Sequence, residues 1–285
     1  MSGCASTTTP QAGRPRRAPD KIVTKCSEIF ESLVGREQFF IALRGRAQLT
    51  LPNANPEKVD LSLAVATPIF LRAEVNGPLG IRMGLLQINQ DWVYFFDTRK
   101  KSVKRLPVKE FARAGLRRQA FLRDLPVSLP DPFVIDAVLS RTGLIRDAKL
   151  DGGVEQQHCP FLKDSMAYEL IYKESAEIEG HERWHRVLVD ARDYFPIRHQ
   201  TRLAPNSKRP ASRLNKDFWR QAPEWDLTYD HFVGEGMATL PRKIDLSNRK
   251  QRVFTFEWRE AEPVPDRDDR LFGWRPSASL KVQDY

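Results

Sequence analysis

The feature that most constrains this chain is strict two-residue alternation of apolar and polar side chains, repeated in one segment after another. In Leu43–Leu51, Leu43, Ala47, Leu49 and Leu51 alternate with Arg44, Arg46, Gln48 and Thr50. After the turn Pro52–Pro56, the apolar side chains of Val59, Leu61, Leu63 and Val65 again fall on odd positions. Ile69, Leu71, Ala73 and Val75 repeat the pattern around Arg72 and Glu74, and the segments 81–88 and 92–97 follow. Successive side chains of a strand point to opposite faces, so this period predicts an antiparallel sheet with one face buried and one wet.

The second half returns to the pattern in 167–172, 183–189, 197–203, 226–232 and 252–260, with turns at Asp190–Pro196 and Glu235–Pro241. Two helical stretches interrupt it. Asp20 is placed to cap a helix with Ile22, Cys26, Ile29, Phe30 and Leu33 on one side and Gly35 at its end. A basic, partly helical stretch covers 108–123, and a short helix is expected near 131–140. A one-sided sheet of about ten strands curls, and the apolar helix stripes need a surface to cover. The expected fold is therefore mainly β (α+β): a curved antiparallel sheet forming a half-open barrel with a helical lid. Its apolar interior binds hydrophobic ligands unless its own side chains fill it. Residues 20–285 read as a single domain, and residues 1–19, rich in proline and threonine, as a flexible tether.

The net charge of +9 favours an anionic partner, nucleic acid or lipid surface, but the cations are spread along the whole chain. No basic-aromatic recognition motif accompanies them, so no nucleic-acid partner is expected. No apolar run reaches the length of a membrane-spanning helix. His181-Glu182-Arg183-Trp184-His185 matches H-E-x-x-H, which binds zinc only when both imidazoles lie one turn apart on a helix. Here Val187-Leu188-Val189 and a turn follow, so the segment reads as a strand and no metal is expected. Nucleotide-binding loops and nucleophile motifs are absent from the sequence, so neither a cofactor nor an enzymatic activity is expected.

Met1-Ser2-Gly3-Cys4-Ala5-Ser6-Thr7 has a cysteine directly after two small residues, as at the lipidation site of a bacterial lipoprotein. Cys4 is the expected acylation site, with a natural signal peptide upstream. Of the three cysteines, Cys26 and Cys159 are then left as a disulfide or as two free thiols.

The run Arg72-Ala73-Glu74-Val75-Asn76-Gly77-Pro78-Leu79-Gly80-Ile81, the strand Trp92–Asp97, the segment Leu43-Arg44-Gly45-Arg46-Ala47 and the Cys4 start together resemble the LolB family of outer-membrane lipoprotein receptors. The resemblance is best over residues 4–100. It implies a lipid-anchored, periplasm-facing protein of the outer membrane that takes lipoproteins from a soluble periplasmic carrier. Lipoprotein acyl chains would be held in a hydrophobic cavity, for which Leu43, Leu49, Leu61, Leu63, Leu71 and Val75 are the candidate lining. Delivery would be into the inner leaflet of the outer membrane, and Leu79 occupies the place of the family's membrane-inserting leucine. The alternative is a lipid- or protein-sensing periplasmic lipoprotein on the same scaffold.

Overall fold

The computed structural model describes residues 26–39, 41–52, 58–67, 70–77, 81–112, 116–123, 159–173, 181–205, 216–234, 239–249, 251–264 and 269–285. Helix α1 (Cys26–Phe39) precedes strands β1 (Ala42–Thr50), β2 (Lys58–Ala66), β3 (Phe70–Asn76), β4 (Arg82–Ile88), β5 (Trp92–Asp97) and β6 (Ser102–Pro107). Helices α2 (Val108–Ala112) and α3 (Leu116–Arg123) follow. The second half holds β7 (Phe161–Leu162), β8 (Ala167–Lys173), β9 (His181–Asp190), β10 (Pro196–Pro205), α4 (Lys216–Arg220), β11 (Trp225–Val233), β12 (Leu240–Asn248), β13 (Gln251–Val264), α5 (Asp269–Phe272) and β14 (Lys281–Asp284).

All fourteen strands form one sheet in the order β14-β6-β5-β4-β3-β2-β1-β13-β12-β11-β10-β9-β8-β7. Every pairing is antiparallel except β14 on β6. The sheet curves without closing, so the half-open barrel is correct in outline. At its centre β1 lies between β2 and β13, with Leu43 opposite Val65 and Pro263. One extra residue, Arg259, interrupts the β1–β13 register between Arg46 and Ala47. At this bulge Gly45 runs so close to β13 that a Cβ there would lie 1.9 Å from the Glu260 carbonyl oxygen.

Four expectations are corrected. Among the described residues the sheet has fourteen strands rather than about ten: β6, β7, β12 and β14 were not anticipated. Leu240 and Pro241, assigned to a turn, open β12. Gly35 does not end the first helix, which continues to Phe39. In its extra turn the Arg36 side chain is buried and donates to the Thr239 carbonyl, an anchor that offsets the modest cost of an interior glycine.

The fourth correction concerns the outer face, which is not uniformly wet. Over β2–β5 it is covered by the C-terminal segment. Ala42, Ala64, Ala66, Phe70 and Phe272 form a buried cluster, and Leu85 is fully buried. Gln87 donates to the carbonyls of Phe272 (2.6 Å) and Trp274 (3.1 Å), while Trp274 meets Tyr94 edge-on. The chain then turns the corner: β14 pairs along β6, and Tyr285 reaches the inner cluster, edge-on to Phe121. Over β8–β10 the outer face is covered by α4, whose Trp219 packs with Ile171, Trp184 and Ala204. Elsewhere it carries cross-strand ion pairs such as Arg44–Glu262 and Arg198–Asp226, which accounts for much of the dispersed charge.

The expected capping residue Asp20, the helix near 131–140, Cys4, the tether and Leu79 all lie outside the described residues.

Candidate functional site

The inner face of the sheet is the candidate site, and cross-strand register assembles it. Leu43 faces Val65, Val65 faces Leu71, and Leu71 faces Ile88; one step along, Ala47 faces Leu61 and Leu61 faces Val75. Because the side-chain period is two, these pairings put the odd positions of β1–β3 and the even positions of β4 on one face. Leu43, Leu61, Leu63 and Leu71 are buried in a single cluster, with Leu49 and Val75 half-buried against it. The six sequence-selected residues therefore share one apolar surface. It continues across the β1–β13 seam through Phe254, Phe256 and Trp258 to Ile244, Leu246, Leu227 and Tyr229.

Two helical lids lie on this surface. Phe111 of α2 and Phe121 of α3 are buried in the β1–β6 part of the cluster. On the far side, Ile29 and Leu33 of α1 pack on Tyr168, Leu170, Tyr172, Val187 and Val189. The second helix set was read from the sequence as basic and only partly helical. Its function as a cover shows only in the spacing of Phe111 and Phe121.

Between the two apolar areas runs a polar aromatic seam. His185 and His199 are both buried, with Nδ1 of the first 2.8 Å from Nε2 of the second, and Tyr172 stacks on His185 at 4.7 Å and 4°. The H-E-x-x-H segment is thus strand, as read. His181 and His185 are four residues apart on β9, about 13 Å along an extended chain, too far to share one ion. Among the described residues no group of three or more His, Cys, Asp or Glu is placed to hold a metal. Sequence reasoning missed His199, whose partner lies on a neighbouring strand.

Two further polar groups interrupt the inner face. Among the described residues the buried Trp258 indole N–H meets no hydrogen-bond acceptor, and Arg36 is 3% exposed in α1. Burial holds the Arg36 guanidinium at about 10, below its ordinary value. Cys159 packs beside the α1 cluster and is disulfide-bonded. Its partner is one of the chain's other two cysteines, Cys4 or Cys26, whose side chains lie outside the described residues.

A wide, open antiparallel sheet with an apolar inner face under helices defines a half-open barrel with a lid. Solved structures share that arrangement. A domain from Vibrio parahaemolyticus assigned to outer membrane lipoprotein sorting is similar at a TM-score of 0.51 and 11% identity, over 86% of this chain and 94% of that one. A DUF1329 family protein from Desulfovibrio piger is similar at 0.52 and 8%, over 86% and 96%. A LolA superfamily protein from Nitrosomonas europaea matches at 0.49 and 10%, over 88% and 98%. At these identities the likeness to the Vibrio and Desulfovibrio structures shows the fold alone. No protein-family model and no curated protein sequence matches the chain.

Proposed function

We propose that the protein binds the acyl chains of lipid-modified proteins on the inner face of its sheet and helps insert them into the outer membrane. The observation that carries this reading is the continuous apolar surface joining Leu43, Leu61, Leu63 and Leu71 to Phe256 and Trp258, closed over by short helices. The Vibrio domain's assignment to lipoprotein sorting supports it.

The energetics set a condition on the ligand. Displacing Phe111 and Phe121 from the cluster costs about 1.5–3 kcal/mol each. Each buried methylene contributes about 0.8 kcal/mol, so a chain burying roughly eight methylenes offsets both lids. Ordinary fatty acyl chains meet that condition and short ones do not. Binding of this kind needs shape and apolar area, with no catalytic group, cofactor or metal.

The disulfide at Cys159 supports an oxidising compartment outside the cytosol. Acylation of Cys4 in the periplasm-facing leaflet would leave Cys26 as the bonded partner. The carrier that hands over cargo would be a soluble periplasmic protein, and residues 20–285 would act as one domain. The turn carrying Leu79 would enter the bilayer during delivery.

The self-filled inner face also favours a second reading, a sensor that changes state when a lipid displaces the lids, without transfer. One experiment addresses both. A fluorescent triacylated lipopeptide should bind saturably, its unacylated form should not, and bound lipopeptide should pass to liposomes. Saturable binding without passage selects the sensor. Equal affinity for acylated and unacylated peptide defeats both readings.

A further inference from the structure

We propose that the buried pair His185 and His199 is an acid-sensitive latch under helix α1, an inference that rests on the lipid-binding reading and names how access to that site is regulated. The two rings are 1% and 3% exposed, on the neighbouring strands β9 and β10. His185 lies opposite Tyr172 and Thr201, and His199 lies opposite Val187 and Leu227. Tyr172 and Val187 belong to the platform that seats Ile29 and Leu33 of α1. The pair thus shares its walls with the seat of the helix.

The 2.8 Å separation of His185 Nδ1 and His199 Nε2 fixes how many protons the pair can hold. One nitrogen must donate and the other accept, so the space between them takes one proton and not two. A first added proton can go to an outer nitrogen with the bridge intact, and the Tyr172 ring stacked on His185 tolerates that charge. A second would set two N–H groups against each other between two cations. The bridged, closed state therefore excludes one proton that separated imidazoles take up at about pH 6.5. Separating the rings moves Tyr172 and the β9–β10 row out of the packing under Ile29 and Leu33, which frees the helix.

The groups around the pair do not lift this exclusion. Arg183 lies on the same face of β9, 3.6 Å from Glu224 at the entry to β11, so that carboxylate is matched by its own cation. From β8 the facing group is the Tyr172 phenol, and α1 brings Arg36, one turn beyond Leu33 on its buried face. Thr201 of β10 and Trp225 and Leu227 of β11 bring no charge. Among the described residues these groups sum to one surplus cation, which opposes a second proton further. The open state therefore binds one more proton than the closed one below about pH 6.5. Closure is favoured above that pH, and the closed-to-open ratio falls about tenfold per unit beneath it.

The test follows backbone hydrogen exchange of the ligand-free full chain at about pH 7.5 and 5.5, expressed as protection relative to an unstructured peptide. Protection of α1 should fall about tenfold at the lower pH, while β2 and β3 keep theirs. His185→Gln and His199→Gln retain a hydrogen-bonding side chain that does not titrate, so each should show equal α1 protection at both pH values. His231→Gln, at an exposed histidine of β11, should keep the wild-type drop. Ring-nitrogen magnetic resonance of the wild type needs no variant: the two buried rings should take up one proton between them, not two, while the protein stays folded at about pH 5.5. Constant α1 protection in the wild type, a drop that persists in the folded glutamine variants, or two charged rings in the folded protein overturns the proposal. A fluorescent triacylated lipopeptide should enter about tenfold faster at the lower pH. Lipopeptide binding with constant α1 protection overturns the latch and leaves the lipid reading standing. The tenfold fall in protection with no lipopeptide bound at either pH refutes the lipid reading and leaves the latch standing.

Discussion

Replacing Gly45 with alanine tests the seam at the centre of the sheet. A Cβ at this position would stand 1.9 Å from the Glu260 carbonyl oxygen and 2.8 Å from its carbon. A carbon and an oxygen in tolerable contact are about 3.3 Å apart, so β1 and β13 must separate locally by about 1.4 Å. Both opposing atoms are backbone in a paired strand, so no rotamer change relieves the clash. Opening the seam by that distance breaks about two ladder hydrogen bonds, at about 1 kcal/mol each, and loosens Trp258 against Ala47. The expected cost is about 2–4 kcal/mol. Urea unfolding followed by tryptophan fluorescence should show a midpoint lower by about 1 M. Gly84→Ala is the matched control, because its nearest contact, the Phe96 carbonyl oxygen, lies at 3.4 Å. That change should cost under about 1 kcal/mol. If the two variants unfold at the same midpoint, the bulge at Arg259 does not force the close approach, and the account of this seam is wrong.

Leu79→Glu should leave folding and lipopeptide affinity unchanged while slowing transfer into liposomes, since a carboxylate enters hydrocarbon at a large desolvation cost; a lowered melting temperature would mark Leu79 as a core residue. Mass spectrometry of the unreduced protein should find Cys26 joined to Cys159, and a Cys4–Cys159 peptide would contradict lipidation at Cys4. Closing so long a loop contributes up to about 5 kcal/mol, so reductant should lower stability measurably. Arg36 is a base whose folded pKa, about 10, lies below its unfolded value because burial disfavours the charged form, so the unfolded state holds more protons between the two. Stability should therefore rise with pH through that window relative to Arg36→Met, and parallel pH profiles of the two proteins would show that the guanidinium is not buried.

The strands legible in the sequence are those with an apolar inner face and a polar outer one, β1, β2 and β3 above all. Strands whose pattern is set by distant partners were not legible. In β6 only Val103 and Leu106 are buried, three residues apart, a spacing that suits a helix as well as a strand. The residues of β14 are all exposed, and its pairing depends on the free edge of β6. The burial of Phe70 on the outer face was not legible either, because the side chain that packs on it, Phe272, lies about two hundred residues further along the chain. For the candidate site, the six apolar positions could be read from alternation alone. The lids' phenylalanines, Trp258 and the His185–His199 contact could not, since each depends on which strands become neighbours.

The pairing of β1 with β13 has a consequence for how the chain comes into being. Residues 42–50 cannot complete their central position until residues 251–264 arrive, and the outer cluster over β2–β5 waits for the last seventeen residues. A chain emerging from its N-terminus, from a ribosome or through a narrow pore, thus holds half a sheet with open edges until residues 251–264 are out. Native assembly of the sheet's centre waits for β13, and the length before it remains threadable until then.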